Sequence, residues 1–376
     1  MDESVNTVVI GAGASGLSMS RCLADLGVSY ALLEQQEQVA TPWRNHYDRL
    51  HLHSPKALSA LPNQAWAADA ERYPSRLAVV KYLEEYAKSL PHPPRFGQHV
   101  RRLERQPEGW RTRTDDAEYL SQNVVVATGH ARVPHIPTWP GQEVYAGDRI
   151  HSSKYKNGDP WKSRRVLVVG FGNSACEIAI DLHERGARPT IAVRGGVNVI
   201  PRDLLGMPIL GIGICLSVLP PTVTDLLAKP LILATVGNLR KLGLEKLPYG
   251  PNVQVRQHGR IPLLDTGMVA LLSQGAIQVR PDIERFTKSG VVFCDGRDED
   301  FAAVILGTGY RPVVSDLFAE ADAVCSKDGA PRQSGTEVLP GLYFCGFRVS
   351  PTGMLREIAF ESRRIARSIA ESRRIR

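Results

Sequence analysis

Val8-Val9-Ile10-Gly11-Ala12-Gly13-Ala14-Ser15-Gly16 is an apolar run closed by G-x-G-x-x-G, the pattern of a strand, a tight turn and a helix. Such a run reads as a strand buried on both faces, followed by a tight turn that opens a helix. The first glycine makes the turn, the second lets the backbone approach a pyrophosphate, and the third lets helix and strand pack closely. Unpaired N–H groups at the helix start then face the phosphates with a partial positive charge. The spacing predicts a helix over residues 15–26, stopped at Gly27, and a next strand Tyr30-Ala31-Leu32-Leu33 that ends at Glu34. A carboxylate there, roughly 20 residues past the loop, accepts hydrogen bonds from ribose hydroxyls and opposes a 2′-phosphate.

The design recurs at Val166-Leu167-Val168-Val169-Gly170-Phe171-Gly172-Asn173-Ser174-Ala175, with Ala175 in place of the third glycine. Its following strand, Thr190-Ile191-Ala192-Val193, ends at Arg194. An arginine favours the extra phosphate of NADP through a charge-assisted fork. Two loops with opposite charges at the ribose position imply two dinucleotides, hence electron transfer between a nicotinamide and a flavin. The first loop is expected to take FAD and the second NADPH.

The expected fold class is therefore α/β, with two Rossmann-like dinucleotide-binding domains and the NADPH domain inserted into the FAD domain. Val124-Val125-Val126-Ala127-Thr128-Gly129 and Val304-Ile305-Leu306-Gly307-Thr308-Gly309 read as paired strand-and-turn crossings between them. The boundaries fall at 1–152 (FAD, first part), 153–309 (NADPH) and 310–376 (FAD, C-terminal part). A helix is expected over 76–89, strands over 98–104, 109–114 and 117–127, and a long C-terminal helix from about Gly353. That helix start could aim its N–H groups at the flavin pyrimidine ring.

The 376 residues, 43% hydrophobic and 23% charged, suffice for two or three domains with sizeable cores. No apolar run is long enough to span a bilayer, and Met-Asp-Glu-Ser at the start is too acidic for a signal peptide. A cytoplasmic protein is expected. The net charge of +7 is spread along the chain, which argues against a nucleic-acid partner. Its main concentration is Arg363, Arg364, Arg367, Arg373, Arg374 and Arg376, read as a solvated helix end or, alternatively, as a surface for an anionic membrane or partner. Cys22, Cys176, Cys215, Cys294, Cys325 and Cys345 form no C-x-x-C pair and no zinc spacing, so disulfide reductase and metal chemistry are disfavoured. They read as small core residues in a reducing compartment.

Between the two loops, Tyr145-Ala146-Gly147-Asp148-Arg149-Ile150-His151-Ser152-Ser153-Lys154-Tyr155 resembles the F-x-G-x-x-x-H-x-x-x-(F/Y) signature of flavin-dependent monooxygenases. Tyr47-Asp48-Arg49-Leu50-His51-Leu52-His53-Ser54-Pro55-Lys56, Leu61-Pro62, Val199-Ile200-Pro201-Arg202 and Gly259-Arg260-Ile261-Pro262-Leu263-Leu264-Asp265 are similar to stretches of the YUCCA-type branch. Gly309-Tyr310-Arg311 and Gly341-Leu342-Tyr343 continue the resemblance over nearly the whole chain. Departures are Thr41-Pro42 before Trp43-Arg44, and Gly307 where the A-T-G motif has alanine.

The resemblance implies an NADPH- and O2-dependent monooxygenase acting through a C4a-(hydro)peroxyflavin, with a small-molecule substrate. Oxidative decarboxylation of an aromatic 2-oxo acid such as indole-3-pyruvate to indole-3-acetate is the leading reading. N- or S-oxygenation of an amine or sulfide, NADPH oxidation alone, and redox-sensing binding remain alternatives. Together, pattern and resemblance assign Gly11, Gly13, Ser15, Gly16, Glu34, Gln35, Trp43, Arg44, Leu50, His51, His53, Val100, Ala127, Thr128, Gly129 and Gly346 to FAD. His151, Tyr155, Gly170, Gly172, Asn173, Ser174, Arg194, Gly307 and Thr308 are assigned to NADPH. No catalytic acid or base is required; His53 and Lys56 are the candidates near the flavin. Arg49, Lys56, Arg202 and Arg311 are candidates for a substrate carboxylate.

Residues 204–239 form two apolar stretches separated by Pro220-Pro221. They are expected to be two helices that build a substrate tunnel or a homodimer face, with peripheral membrane contact as the alternative.

Overall fold

Strand and helix follow one another in the order that a buried parallel sheet demands. The computed structural model describes residues 2–375, which fall into two units: residues up to 44, 54–133 and 310 onward form the first, and 45–53 with 134–309 the second.

In chain order the first unit opens with β1 (Asp2–Ile10), α1 (Ala14–Asp25), β2 (Tyr30–Leu33), α2 (Arg76–Lys88), β3 (Val100–Gln106), β4 (Gly109–Thr114) and β5 (Glu118–Val126). The second unit contributes β6 (Asp148–His151), β7 (Arg165–Val169), α3 (Asn173–Glu184), β8 (Arg188–Ala192), α4 (Ile209–Cys215), α5 (Pro221–Val236), α6 (Pro251–His258), β9 (Gln278–Arg280) and β10 (Ala303–Leu306). The chain then returns to the first unit with β11 (Glu337–Leu339), β12 (Leu342–Phe344) and α7 (Met354–Ile375).

The first sheet runs β2-β1-β5-β12-β11, with the antiparallel β3–β4 hairpin attached to β5. Val8 lies between Ala31 and Val124 in parallel register. All three are buried, as expected where helices cover both faces. Leu355, Ile358, Ile365 and Ile369 give α7 an apolar stripe at helical spacing, and α7 packs on α1. Arg363, Arg364, Arg367 and Arg373 stay exposed; the side chains of Arg374 and Arg376 lie outside the described residues.

The second sheet is wholly parallel in the order β9-β8-β7-β10-β6. Each fully buried Val or Leu of its strands contributes roughly 1.5–3 kcal/mol. Residues 45–53 and 134–152, expected in the first domain, group with this unit. Tyr47 is buried in its core, the Asp48 N–H donates to the Lys156 carbonyl at 2.9 Å, and β6 pairs with β10. Cys22, Cys176, Cys325 and Cys345 are buried, whereas Cys215 and Cys294 are exposed. The reading of all six as core residues is corrected for those two, which lie in the short helix α4 and in a loop.

Candidate functional site

In the first unit, Gly11 has φ +99°, and a Cβ there would sit 3.0 Å from the Ala127 carbonyl oxygen. Its N–H donates to the Leu33 carbonyl at 2.7 Å, fixing the turn between β1 and α1. A Cβ on Gly16 would lie 1.8 Å from the Gly11 oxygen, so only glycine lets α1 close on the strand. Gly13, by contrast, faces open space, and no side chain caps α1. The cradle therefore keeps its helix N–H groups for an outside acceptor, which fits a pyrophosphate.

Glu34 closes this turn from the end of β2. Its Oε2 accepts the Ala12 N–H at 2.7 Å and its Oε1 accepts the Gln36 N–H at 3.0 Å. Each carboxylate oxygen keeps a further lone pair for a ribose hydroxyl. Gln35 beside it is exposed, whereas Ser15 and Val100 are buried. Beyond β5 come Ala127, whose N–H donates to the Ile10 carbonyl at 2.9 Å, then Thr128 and Gly129. Thr128 Oγ1 is shielded from solvent and has no hydrogen-bond partner among the described residues, a second sign that the pocket is shaped for a polar ligand. Gly346, after β12, donates its N–H to Glu361 Oε2 at 2.6 Å, and a Cβ on it would lie 2.0 Å from Ser15 Oγ.

Glu361 was not legible as a site residue, although it falls on the apolar stripe of α7, where a carboxyl is out of place. Burial pushes its pKa above the ordinary range against the opposing hydrogen bond from Gly346. His130 follows Gly129; burial holds its pKa down, and its ring meets Phe347 edge-on at 5.6 Å. Arg44 is held by Glu84 and by the Val39 carbonyl, and its own carbonyl accepts from Arg76. The flanking Trp43 is half-buried. Lys56 donates to the carbonyls of Ala67, Ala68 and Ala70 at 3.3, 2.7 and 2.5 Å. With its three N–H groups so engaged, it latches a loop and has none to offer a substrate carboxylate.

The second unit repeats the cradle with the sizes rearranged. Gly170 has φ +109°, and its Cβ would lie 2.7 Å from the Gly307 oxygen; Gly172 faces open space. Gly172 also starts α3 without a side-chain cap. Arg194, just beyond β8, is exposed and forms no ion pair with the described residues, so its guanidinium is open to a phosphate. Ser174 sits half-buried in the first turn of α3. Asn173 Oδ1 accepts the Leu264 N–H at 2.9 Å, which ties the 262–265 segment to the start of α3. Thr308 Oγ1 donates to the His135 carbonyl.

His151 ends β6 with both ring nitrogens engaged: Nε2 lies 3.0 Å from the Gly309 carbonyl and Nδ1 accepts the Ser153 N–H at 3.1 Å. That pairing places the proton on Nε2, and burial lowers the pKa, favouring the neutral ring. Its place is behind the 307–309 turn, which it holds. Tyr155, expected to line the coenzyme, has no accessible surface. It stacks on Trp161 at 5.8 Å and donates to Asp181 Oδ2 at 2.6 Å, so it supports the site from the core.

The stretch around residues 47–53 is held by a charge cluster that the sequence did not reveal. Glu177, buried in the second turn of α3, lies 3.0 Å from Arg49 Nε and 3.5 Å from His53 Nε2, and it accepts from Thr266 Oγ1 at 2.6 Å. Burial alone would raise its pKa; His53, Thr266 and the Arg49 charge outweigh that and hold it below the ordinary range. Arg49 also grips both carboxylate oxygens of Glu184, at 3.0 and 2.8 Å. It is thereby occupied, and Arg202 is paired with Asp203 at 3.1 Å. Arg311 is exposed. Leu50 packs half-buried on the second core, and His51 Nδ1 lies 2.7 Å from the Arg49 carbonyl. The signal available for Glu177 was its position four residues after Asn173, one turn along the helix that the fingerprint opens.

Each unit thus carries an open glycine cradle, with Glu34 after the strand that follows the first and Arg194 after the strand that follows the second, and the chain is a flavoprotein that uses FAD and NADPH. Residues 8–202 match the family model described as pyridine nucleotide-disulphide oxidoreductase. The chain is 37% identical over 349 residues to the probable indole-3-pyruvate monooxygenase YUCCA1 of Arabidopsis thaliana, covering 90% of this chain and 84% of that protein. It is 38% identical over 351 residues to the indole-3-pyruvate monooxygenase YUCCA1 of Oryza sativa subsp. japonica, covering 90% and 86%. A mutant form of the flavin monooxygenase from Stenotrophomonas maltophilia superposes with a TM-score of 0.75 at 26% identity, covering 98% of this chain and 99% of that one. The chain belongs to the YUCCA family of flavin monooxygenases.

Proposed function

We propose that this chain carries out the oxidative decarboxylation of an aromatic 2-oxo acid of the indole-3-pyruvate type. The 2-oxo acid, O2, NADPH and a proton give the carboxylic acid shorter by one carbon, CO2, NADP⁺ and water. The observation that carries the cofactor side is the opposite charge at the two ribose positions, Glu34 in one unit and Arg194 in the other. The substrate class rests on the similarity to the Arabidopsis and rice indole-3-pyruvate monooxygenases.

When bound, flavin and NADPH supply the redox chemistry; the chain supplies binding and orientation. Gly13 and the uncapped start of α1 receive the FAD pyrophosphate, and Glu34 accepts from its ribose. Gly172 and the start of α3 receive the NADPH pyrophosphate, and Arg194 pairs with the 2′-phosphate. His151 acts as a positioning residue, because its Nε2–H fixes the Gly309 carbonyl and thereby the turn that carries Gly307 and Thr308. Arg311 is the exposed cation that fits a substrate carboxylate, Arg49 and Lys56 being occupied.

The test is to follow NADPH and O2 consumption with indole-3-pyruvate while quantifying indole-3-acetate. One indole-3-acetate formed per NADPH consumed supports the reading. NADPH consumption that yields only peroxide, or turnover coupled instead to an amine or a sulfide, overturns it.

A further inference from the structure

The second unit carries an apolar surface that its own fold does not use. In α5, Thr224, Ala228, Ile232 and Val236 recur every fourth residue as the inward stripe, yet the opposite side is apolar too. Leu226, Leu227 and Leu233 are exposed there, by 69%, 59% and 60%. A helix apolar all round normally ends in a core or in lipid. Just upstream, a hairpin pairs Asp203 with Pro208 and Leu204 with Met207, and Leu205 forms its tip at φ +47° with 92% exposure. Turns of this kind favour Asn-Gly, because a leucine in the left-handed region is strained. A strained, bare leucine at a hairpin tip serves nothing inside the protein. Val218, between α4 and α5, is bare as well.

We propose that this surface docks into the headgroup layer of an anionic phospholipid bilayer, with Leu205, Val218 and the outer leucines of α5 as its apolar wedge. The charge around it selects that occupant. From Arg202 to Arg260 there are seven basic residues against three acidic ones. Of the acids, Asp203 is paired with Arg202, and Asp225 caps α6 by accepting the Asn252 and Val253 N–H groups at 2.8 and 3.0 Å. Lys229, three residues after Leu226 on the same helix face, and Arg240 and Lys241 just after α5 are exposed. Two copies meeting through this face would bring like charges together, whereas anionic lipid complements them. Among the described residues no helix is long and apolar enough to cross a membrane, so the contact is interfacial.

Flotation of the flavin-loaded protein with vesicles tests this. Vesicles of phosphatidylcholine mixed with phosphatidylglycerol are expected to carry the protein up. Pure phosphatidylcholine should carry much less, and added salt should release what is bound. Leu226→Glu with Leu227→Glu is expected to lower the bound fraction about tenfold while flavin content is kept. Leu205→Asn, which suits the turn and cannot harm the fold in the same way, should lower it as well and decides the matter if the double variant is unstable. No flotation, or flotation indifferent to both variants, overturns the proposal. So does a concentration-dependent dimer that the double variant dissociates while vesicles capture nothing.

Discussion

A Cβ placed on Gly307 would lie 2.6 Å from the Cβ of Ala175. The two departures from pattern in the second cradle, alanine for the third glycine of the fingerprint and glycine for the alanine of A-T-G, therefore occupy one space. Ala175→Gly alone opens that space and costs about 1 kcal/mol in helix propensity. Gly307→Ala alone forces the turn away from α3 and is expected to destabilise by about 1–3 kcal/mol. The double exchange should restore part of this loss, since the Ala175 Cα at 2.9 Å stays in the way. Urea unfolding of the four proteins measures it, and simple additivity would refute the coupling.

The glycines of the first cradle should separate folding from binding. Gly16→Ala drives a Cβ into the Gly11 oxygen and should yield little folded protein. Gly13→Ala meets nothing in the protein and should fold, yet lose flavin because the methyl occupies the phosphate approach. Far-ultraviolet circular dichroism and flavin absorbance of the purified variants distinguish the two.

Glu177 gives a pH signature. Its pKa is depressed in the folded state, so its contribution is present above the ordinary glutamate pKa and is lost as pH falls through the folded value. Glu177→Gln should destabilise by about 1–2 kcal/mol at neutral pH, since it weakens the charge-assisted bonds to half-buried Arg49, which keeps Glu184, and to His53. That gap from the parent should shrink below about pH 4. Thermal unfolding across pH provides the check; a constant gap would mean that the carboxylate charge is immaterial.

Arg194→Gln should raise KM for NADPH about tenfold or more and leave KM for NADH nearly unchanged, because only the former offers a 2′-phosphate. Steady-state kinetics with both coenzymes measure this. Equal effects on both would place the arginine elsewhere than on the phosphate.

Lys56→Met should weaken the 56–70 loop and lower the melting temperature without a selective rise in KM for a 2-oxo acid. Were KM for the acid to climb with stability intact, the lysine would belong to the substrate after all.

Much of this was legible because glycine fingerprints and apolar strands are local signals. The helix expected over 15–26 forms at Ala14–Asp25, and the strand Tyr30–Leu33 lies where the pattern put it. The cradle geometry of Gly11 and Gly170 follows from the same few residues. What escaped was set by contacts distant in sequence. Arg49 reads as a spare cation until Glu177 and Glu184 are folded beside it, and Lys56 until three carbonyls converge on it. Tyr155 carries the right residue type at the right spacing, yet its hydroxyl points to Asp181 in the core. Glu361 meets Gly346 only because α7 returns to the first sheet.

The nine residues 45–53 interrupt the first unit in sequence yet pack with the second. Exchange of the coenzyme unit between homologues therefore cannot be made at one pair of junctions near 134 and 309. A chimera cut there would inherit Glu177 from one parent and Arg49 from the other, and any mismatch would strand a buried charge. Recombination within the family is thus constrained to carry a short upstream cassette along with the long downstream one.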